Sequence, residues 1–190
     1  MHIEKSSPLI AILIVIYLVT NVTTVAASSA KYKKYNIQGF IFGMNSDEAK
    51  TALLKNGFKE IKVKGPGKYK YIKNTPNGGK RELFLTGIYH IYSLRYIQQF
   101  PSSVNINAKA IEQKMISKYG TPASIRSRKK TVVYDYYLAK RRVHNKMSIA
   151  LPNNDYRFLT IKATANDLRK KEFKAGRQRA KFIREQKNGH

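Results

Sequence analysis

"GMNSDEAKTALLKNGF", residues 43–58, carries its own start and stop signals. Asn45 or Ser46 can cap a helix, and Glu48 falls at or near the third helical position, the spacing of a capping box. Asp47 and Glu48 suit the positive end of the helix dipole. Ala49, Leu53 and Asn56 share one face, with Ala52 beside them. Gly57 can take the left-handed conformation that ends a helix, after which Phe58 packs back. The stretch therefore reads as one short helix that buries a single stripe.

Beyond the helix the chain reads as strands. Phe58 to Lys64 alternates apolar and charged residues up to a turn at Gly65-Pro66-Gly67. Lys68 to Lys73 (KYKYIK) resumes with β-favouring aromatics and ends at the turn Asn74 to Gly79. Glu82 to Phe100 is long enough for two strands, with Gly87 and Ser93 both suited to the turn between them. A second helix spans Asn107 to Tyr119, where Ala108, Ile111, Met115 and Tyr119 form one stripe. Gly120 closes it and Pro122 prevents its return. Three more strands come next: Lys130 to Leu138, Lys146 to Leu151 and Tyr156 to Ala163. Turns at Ala139 to Arg142 and at Pro152 to Asp155 separate them.

The two helix-ending glycines, Gly57 and Gly120, lie 63 residues apart, and each helix is followed by several strands. The predicted fold class is α+β, two helix-plus-antiparallel-sheet repeats with a C-terminal basic helix. The pseudo-repeats run from about 40–104 and 105–163 within a domain at 31–163, and the basic helix or tail occupies 164–190.

The N-terminus reads as a leader over residues 1–30. Lys5 precedes an eleven-residue apolar run, Leu9 to Val19, which is shorter than the roughly 20 residues of a membrane span. Small residues then offer signal-peptidase cuts after Ala27 or Ala30. The expected location is periplasmic or secreted, the alternative being an uncleaved N-terminal anchor. The chain has no cysteine, which excludes disulfides and a lipidated N-terminus.

Charge dominates the composition: 37 Lys and Arg against 11 Asp and Glu, a net +26. Fields of that size attract anions. Solubility alone explains many lysines better than it explains so few acids. Lys62, Lys64, Lys68, Lys70 and Lys73 surround one turn and interleave with Tyr69 and Tyr71. Alternation sends those tyrosines to the face opposite Lys68 and Lys70, into the core rather than onto nucleic-acid bases. Arg126, Arg128, Lys129 and Lys130 form a second cluster, and Lys140, Arg141 and Arg142 a third.

The tail repeats Leu168, Ala175 and Phe182 at seven-residue intervals, with Ile183 adjacent. Around this stripe lie Arg169, Lys170, Lys171, Lys174, Arg177, Arg179, Lys181 and Arg184. It reads as a basic amphipathic helix that docks by its stripe, presents its cations to a partner, or does both.

Other chemistry finds little support. The histidines are His2, His90, His144 and His190, without the spacing of a metal site. There is no G-x-S-x-G, and the glycine pairs are turns rather than phosphate loops, so neither a metal nor a small-molecule cofactor is expected. A small cationic nuclease would need His90 and His144 as acid and base beside a lysine or arginine.

"FGMNSDEAKTALLKNGF" resembles the G-M-[ST]-x-x-[EQ]-[AV]-x-x-x-L-x-x-x-G segment of small bacterial envelope proteins, and "KMISKYGTP" resembles a second-helix ending found in exported proteins. The arrangement is similar to the small outer-membrane lipoprotein of the barrel-assembly machinery and to the β-lactamase inhibitory protein family. That resemblance implies an α+β envelope or secreted binding module without catalytic residues. It covers only about 17 and 9 residues, and this chain departs from those families in lacking cysteines and in its strong positive charge. The reading is a non-enzymatic module for an anionic partner: an envelope polyanion, nucleic acid or an acidic protein. The alternatives are a protein-interaction or inhibitor module that uses a sheet face, and the nuclease.

Overall fold

Helix α1 (Ser46–Lys55) begins and ends as its local chemistry dictates. The Asn45 side chain accepts hydrogen bonds from the Asp47 and Glu48 N–H groups, and Glu48 Oε2 accepts from the Asn45 N–H at 2.9 Å. At the other end Gly57, with φ +76°, donates to Leu54 O, and the Phe58 N–H reaches back to Leu53 O at 3.0 Å. This paired closure brings buried Phe58 against buried Leu53. The computed structural model describes residues 32–138 and 145–188.

After α1 come β1 (Lys59–Ile61), β2 (Lys68–Asn74), β3 (Lys80–Thr86) and β4 (Ser93–Gln99). Helix α2 (Ala108–Tyr119) leads into β5 (Ser124–Arg128), β6 (Thr131–Tyr137), β7 (Asn145–Ala150) and β8 (Phe158–Ala165), and helix α3 (Asn166–Asn188) follows. All eight strands form one antiparallel sheet in the order β1-β2-β3-β4-β8-β7-β6-β5. Each half is a helix followed by a four-strand meander, and the halves join through their last strands. The order therefore reads the same from either edge. This is an α+β fold.

Strand parity separates the two faces of the sheet. On one, Tyr71, Leu83, Tyr96, Ile161, Ile149 and Tyr134 stand in register across six strands, all buried. The N-terminal segment covers them with Tyr32, Tyr35, Ile37, Phe40 and Phe42. Ala49 and Leu53 of α1, Tyr119 of α2 and Leu168 of α3 complete the same core. Tyr32 is fully buried and its hydroxyl donates to Asp167 at the start of α3, which fastens the first described residue to the last helix.

Several elements differ from the sequence reading. The strand expected over Phe58 to Lys64 shrinks to the three exposed residues of β1, because the chain leaves the edge for the Gly65-Pro66-Gly67 turn. The turn within Glu82 to Phe100 falls at Gly87, not Ser93. A Cβ at Gly87 would lie 2.2 Å from His90 O, and Ser93 is already paired with Thr86 in the sheet. β5 is a strand where the sequence shows only a basic cluster, and the strands before and after it pair as expected. The turn at 139–142, His144 and the proposed leader lie outside the described residues.

Helix α3 buries side chains only in its first turns. Leu168 and Glu172 are buried, whereas Phe173, Phe182 and Ile183 are exposed, so the seven-residue stripe does not continue onto the sheet. Glu172 clasps the β3–β4 loop. Its carboxylate accepts the Tyr89 N–H at 3.0 Å and the His90 N–H at 2.9 Å, and lies 2.9 Å from His90 Nδ1. Beyond it, Phe173 meets Tyr92 and the Arg179 guanidinium donates to the Tyr89 hydroxyl.

Candidate functional site

The opposite face of the sheet carries a different composition. The buried apolar side chains of all three helices belong to the core on the first face. In register across the second face run Lys70, Phe84, Arg95, Lys162, Ser148, Asp135 and Ser124. The neighbouring row holds Lys59, Ile72, Glu82, Ile97, Thr160, Ala150, Val133 and Arg126. Lys68, Lys80, Lys146 and Arg128 share the parity of these rows. Among the described residues, nine cations thus share the parity of one sheet face with two carboxylates, Glu82 and Asp135.

Both carboxylates are engaged. Glu82 meets Lys80 at 2.9 Å and Lys70 at 3.3 Å. The Lys80 hydrogen bond, against the opposing effect of burial, holds the Glu82 carboxyl below its ordinary range. Asp135 receives Arg126 through Nε at 2.6 Å and through a second nitrogen at 2.9 Å, with Ser124 and Ser148 donating as well. Burial opposes ionisation of Asp135, but the bonds from Arg126 and Ser148 prevail and lower its pKa.

The middle of the face has no such partner. Arg95 on β4 stands directly opposite Lys162 on β8, at the seam between the halves. Neither makes an ion pair among the described residues. Arg95 lies 6.0 Å from the Phe84 ring centroid, with Lys70 Nζ at 5.0 Å, so cations approach this phenyl ring from both neighbouring strands. Beside Lys162 a cavity of about 190 Å³ is lined by Arg126, Arg128, Ser148, Tyr156 and Thr160 among others.

Of the cations singled out in the sequence, Lys68, Lys70, Arg126 and Arg128 come to this face. Lys62 and Lys64 are exposed in the loop after β1, and Lys129 and Lys130 are exposed at the β5–β6 turn. Lys73 has the parity of the core face and donates to Asn56 O at 2.7 Å, where it serves the C-terminal end of α1. Lys140, Arg141 and Arg142 lie outside the described residues. Arg169, Lys170, Lys171, Lys174, Arg177, Arg179, Lys181 and Arg184 are exposed along α3, a helix about 35 Å long.

Lys59, Lys80, Arg95, Lys146 and Lys162 were missed. Their signal is alternation: Arg95 sits between Leu94 and Tyr96, and Lys162 between Ile161 and Ala163. The parity that assigns Lys68 and Lys70 assigns these as well.

His90 lies in the β3–β4 loop against Glu172, not in a strand. Among the described residues no group of three or more His, Asp or Glu side chains is placed to hold a metal.

Fold and site together define an α+β protein with one sheet face closed by helices and the other open and cationic. Compared with known protein families, curated proteins and solved structures, the chain matches none.

Proposed function

We propose that the protein is a non-enzymatic binding module for an anionic macromolecule, with the open sheet face as the contact surface. The observation that supports this most directly is the nine-to-two excess of cations over carboxylates on that face, where both carboxylates are already committed to ion pairs. Such a surface gains from counterion release and from steering of the partner. The basic flank of α3 adds reach. The apolar run at Leu9 to Val19 and the small residues up to Ala30 support export and cleavage, which would leave buried Tyr32 in the mature chain.

The test is retention on heparin resin and its salt dependence. Replacing Lys70, Arg95 and Lys162 together by Gln should lower the eluting salt more than replacing Lys174, Lys181 and Arg184. Equal losses from the two sets would refute the sheet face as the contact surface, because charge number alone would then decide retention.

One observation favours a second reading, a protein partner with an acidic surface. Phe84, Ile97 and partly exposed Phe158 lie among the cations, and such mixtures of aromatic residues and arginine characterise protein interfaces. A captured partner that survives high salt and is lost in Phe84→Ala would support it.

A further inference from the structure

We propose that the second half of the open face contains a discrete subsite for a phosphate-type oxyanion, formed by Lys162, Arg128, Tyr156 and Thr160. The inference rests on the binding reading above and narrows it from a surface to a pocket.

Three observations lead there. The first is frustration at the seam. Like charges directly opposite on neighbouring strands destabilise a sheet, and Arg95 faces Lys162 in its centre with no carboxylate among the described residues paired to either. Of this pair the Phe84 ring steadies Arg95 alone, and a local rule broken at such a pair is expected at a functional position. The second is the division of labour inside the cavity. Asp135 neutralises Arg126 with two hydrogen bonds and occupies the Ser148 hydroxyl, while the Thr131 hydroxyl is spent on Leu151 O. Lys162 and Arg128 have no ion-pair partner among the described residues, and Tyr156 and Thr160 face each other's hydroxyls at a long 3.5 Å. Two free cations and two weakly engaged hydroxyls remain. The third is space. A volume of about 190 Å³ holds about six waters. That is room for a tetrahedral oxyanion with part of its hydration.

The chemistry selects a compact, multiply charged acceptor. Arg128 can offer parallel N–H donors, Lys162 a point charge, and the hydroxyls two further donors. A phosphoryl group, with several acceptor oxygens, can use all of these at once, and chloride, a single spherical acceptor, cannot. The group can arrive as free phosphate or as a phosphomonoester, so both serve as probes.

The experiment measures the thermal midpoint of the full chain at constant ionic strength while chloride is exchanged for inorganic phosphate or for glycerol phosphate. Both should raise the midpoint saturably, and saturation by glycerol phosphate at lower concentration would mark an ester as the group recognised. Lys162→Met should raise the phosphate-free midpoint by about 1–3 °C, because it relieves the opposition to Arg95, while abolishing most of the phosphate response. Arg128→Met should abolish the response without that gain. A wild-type midpoint indifferent to phosphate, a full response in Lys162→Met, or a lower phosphate-free midpoint in Lys162→Met would overturn the subsite. Heparin retention separates this failure from failure of the binding reading. Retention without a phosphate response removes the subsite alone, and absence of retention removes both.

Discussion

Glu172→Ala should release helix α3 from the body while leaving the sheet intact. In the wild type the Glu172 carboxylate is buried and accepts two backbone N–H groups, from Tyr89 and His90, besides its contact with His90 Nδ1. A hydrogen bond to a charged group contributes about 1.5–3 kcal/mol net. Taking the lower value for each backbone bond, and nothing for the half-exposed histidine, the substitution costs about 3 kcal/mol of local docking. At 1.4 kcal/mol per decade that is roughly a hundredfold rise in the open population. The assay is native-state hydrogen exchange. The Tyr89 and His90 amides should exchange about 100-fold faster, and amides of β6 and β7 should not change. Glu172→Gln keeps one acceptor oxygen and should show a smaller rise. Unchanged exchange at Tyr89 and His90, or acceleration spread evenly over the sheet, would refute the clasp as a local lock.

The remaining predictions concern the core, the loop, the exposed helix and acid. Leu53→Ala, which empties a fully buried position, should cost about 2–5 kcal/mol in urea unfolding, whereas Asn45→Ala should cost about 1 kcal/mol through loss of the cap. Gly87→Ala should spring the β3–β4 loop open, because its Cβ would meet His90 O at 2.2 Å, and should accelerate Tyr89 exchange as Glu172→Ala does. Gly176→Ala should raise the helicity of α3 by circular dichroism, since a Cβ there meets nothing beyond its own helix backbone within 4 Å and alanine is the better helix former. Glu82 and Asp135 both have pKa values below their ordinary ones in the folded state. Their contribution is present above the unfolded pKa and is lost as pH falls through the folded value, so stability should decline on acidification below the ordinary carboxylate range. Asp135→Asn should flatten that decline in urea midpoints measured against pH.

What could be read in advance divides by the range of the interaction. Helix α1 was legible because its signals are local: Asn45, Glu48 and Gly57 act on backbone groups within four residues. The two helix-plus-meander halves were legible for the same reason. The centre of the candidate site was not, because Arg95 and Lys162 are 67 residues apart and meet only through the β4–β8 pairing. β5 escaped because SIRSR has no alternation to display. Its one apolar side chain, Ile125, remains 58% exposed, and the strand is held by its ladder with β6. In α3 the spacing of Leu168, Ala175 and Phe182 describes a stripe without saying how far a surface lies beneath it. That surface extends only to Glu172 and the few contacts just beyond.

At the β4–β8 junction seven residue pairs, from Ser93 with Thr164 to Gln99 with Phe158, join the two ladders. A polypeptide that ended before α2 would emerge with the outer margin of β4 bare, and antiparallel pairing is two-fold by nature, so a second such fragment satisfies that margin as well as β8 does. Crowded refolding is therefore expected to yield exchanged dimers, in which the leading half of one molecule zips onto the trailing half of another.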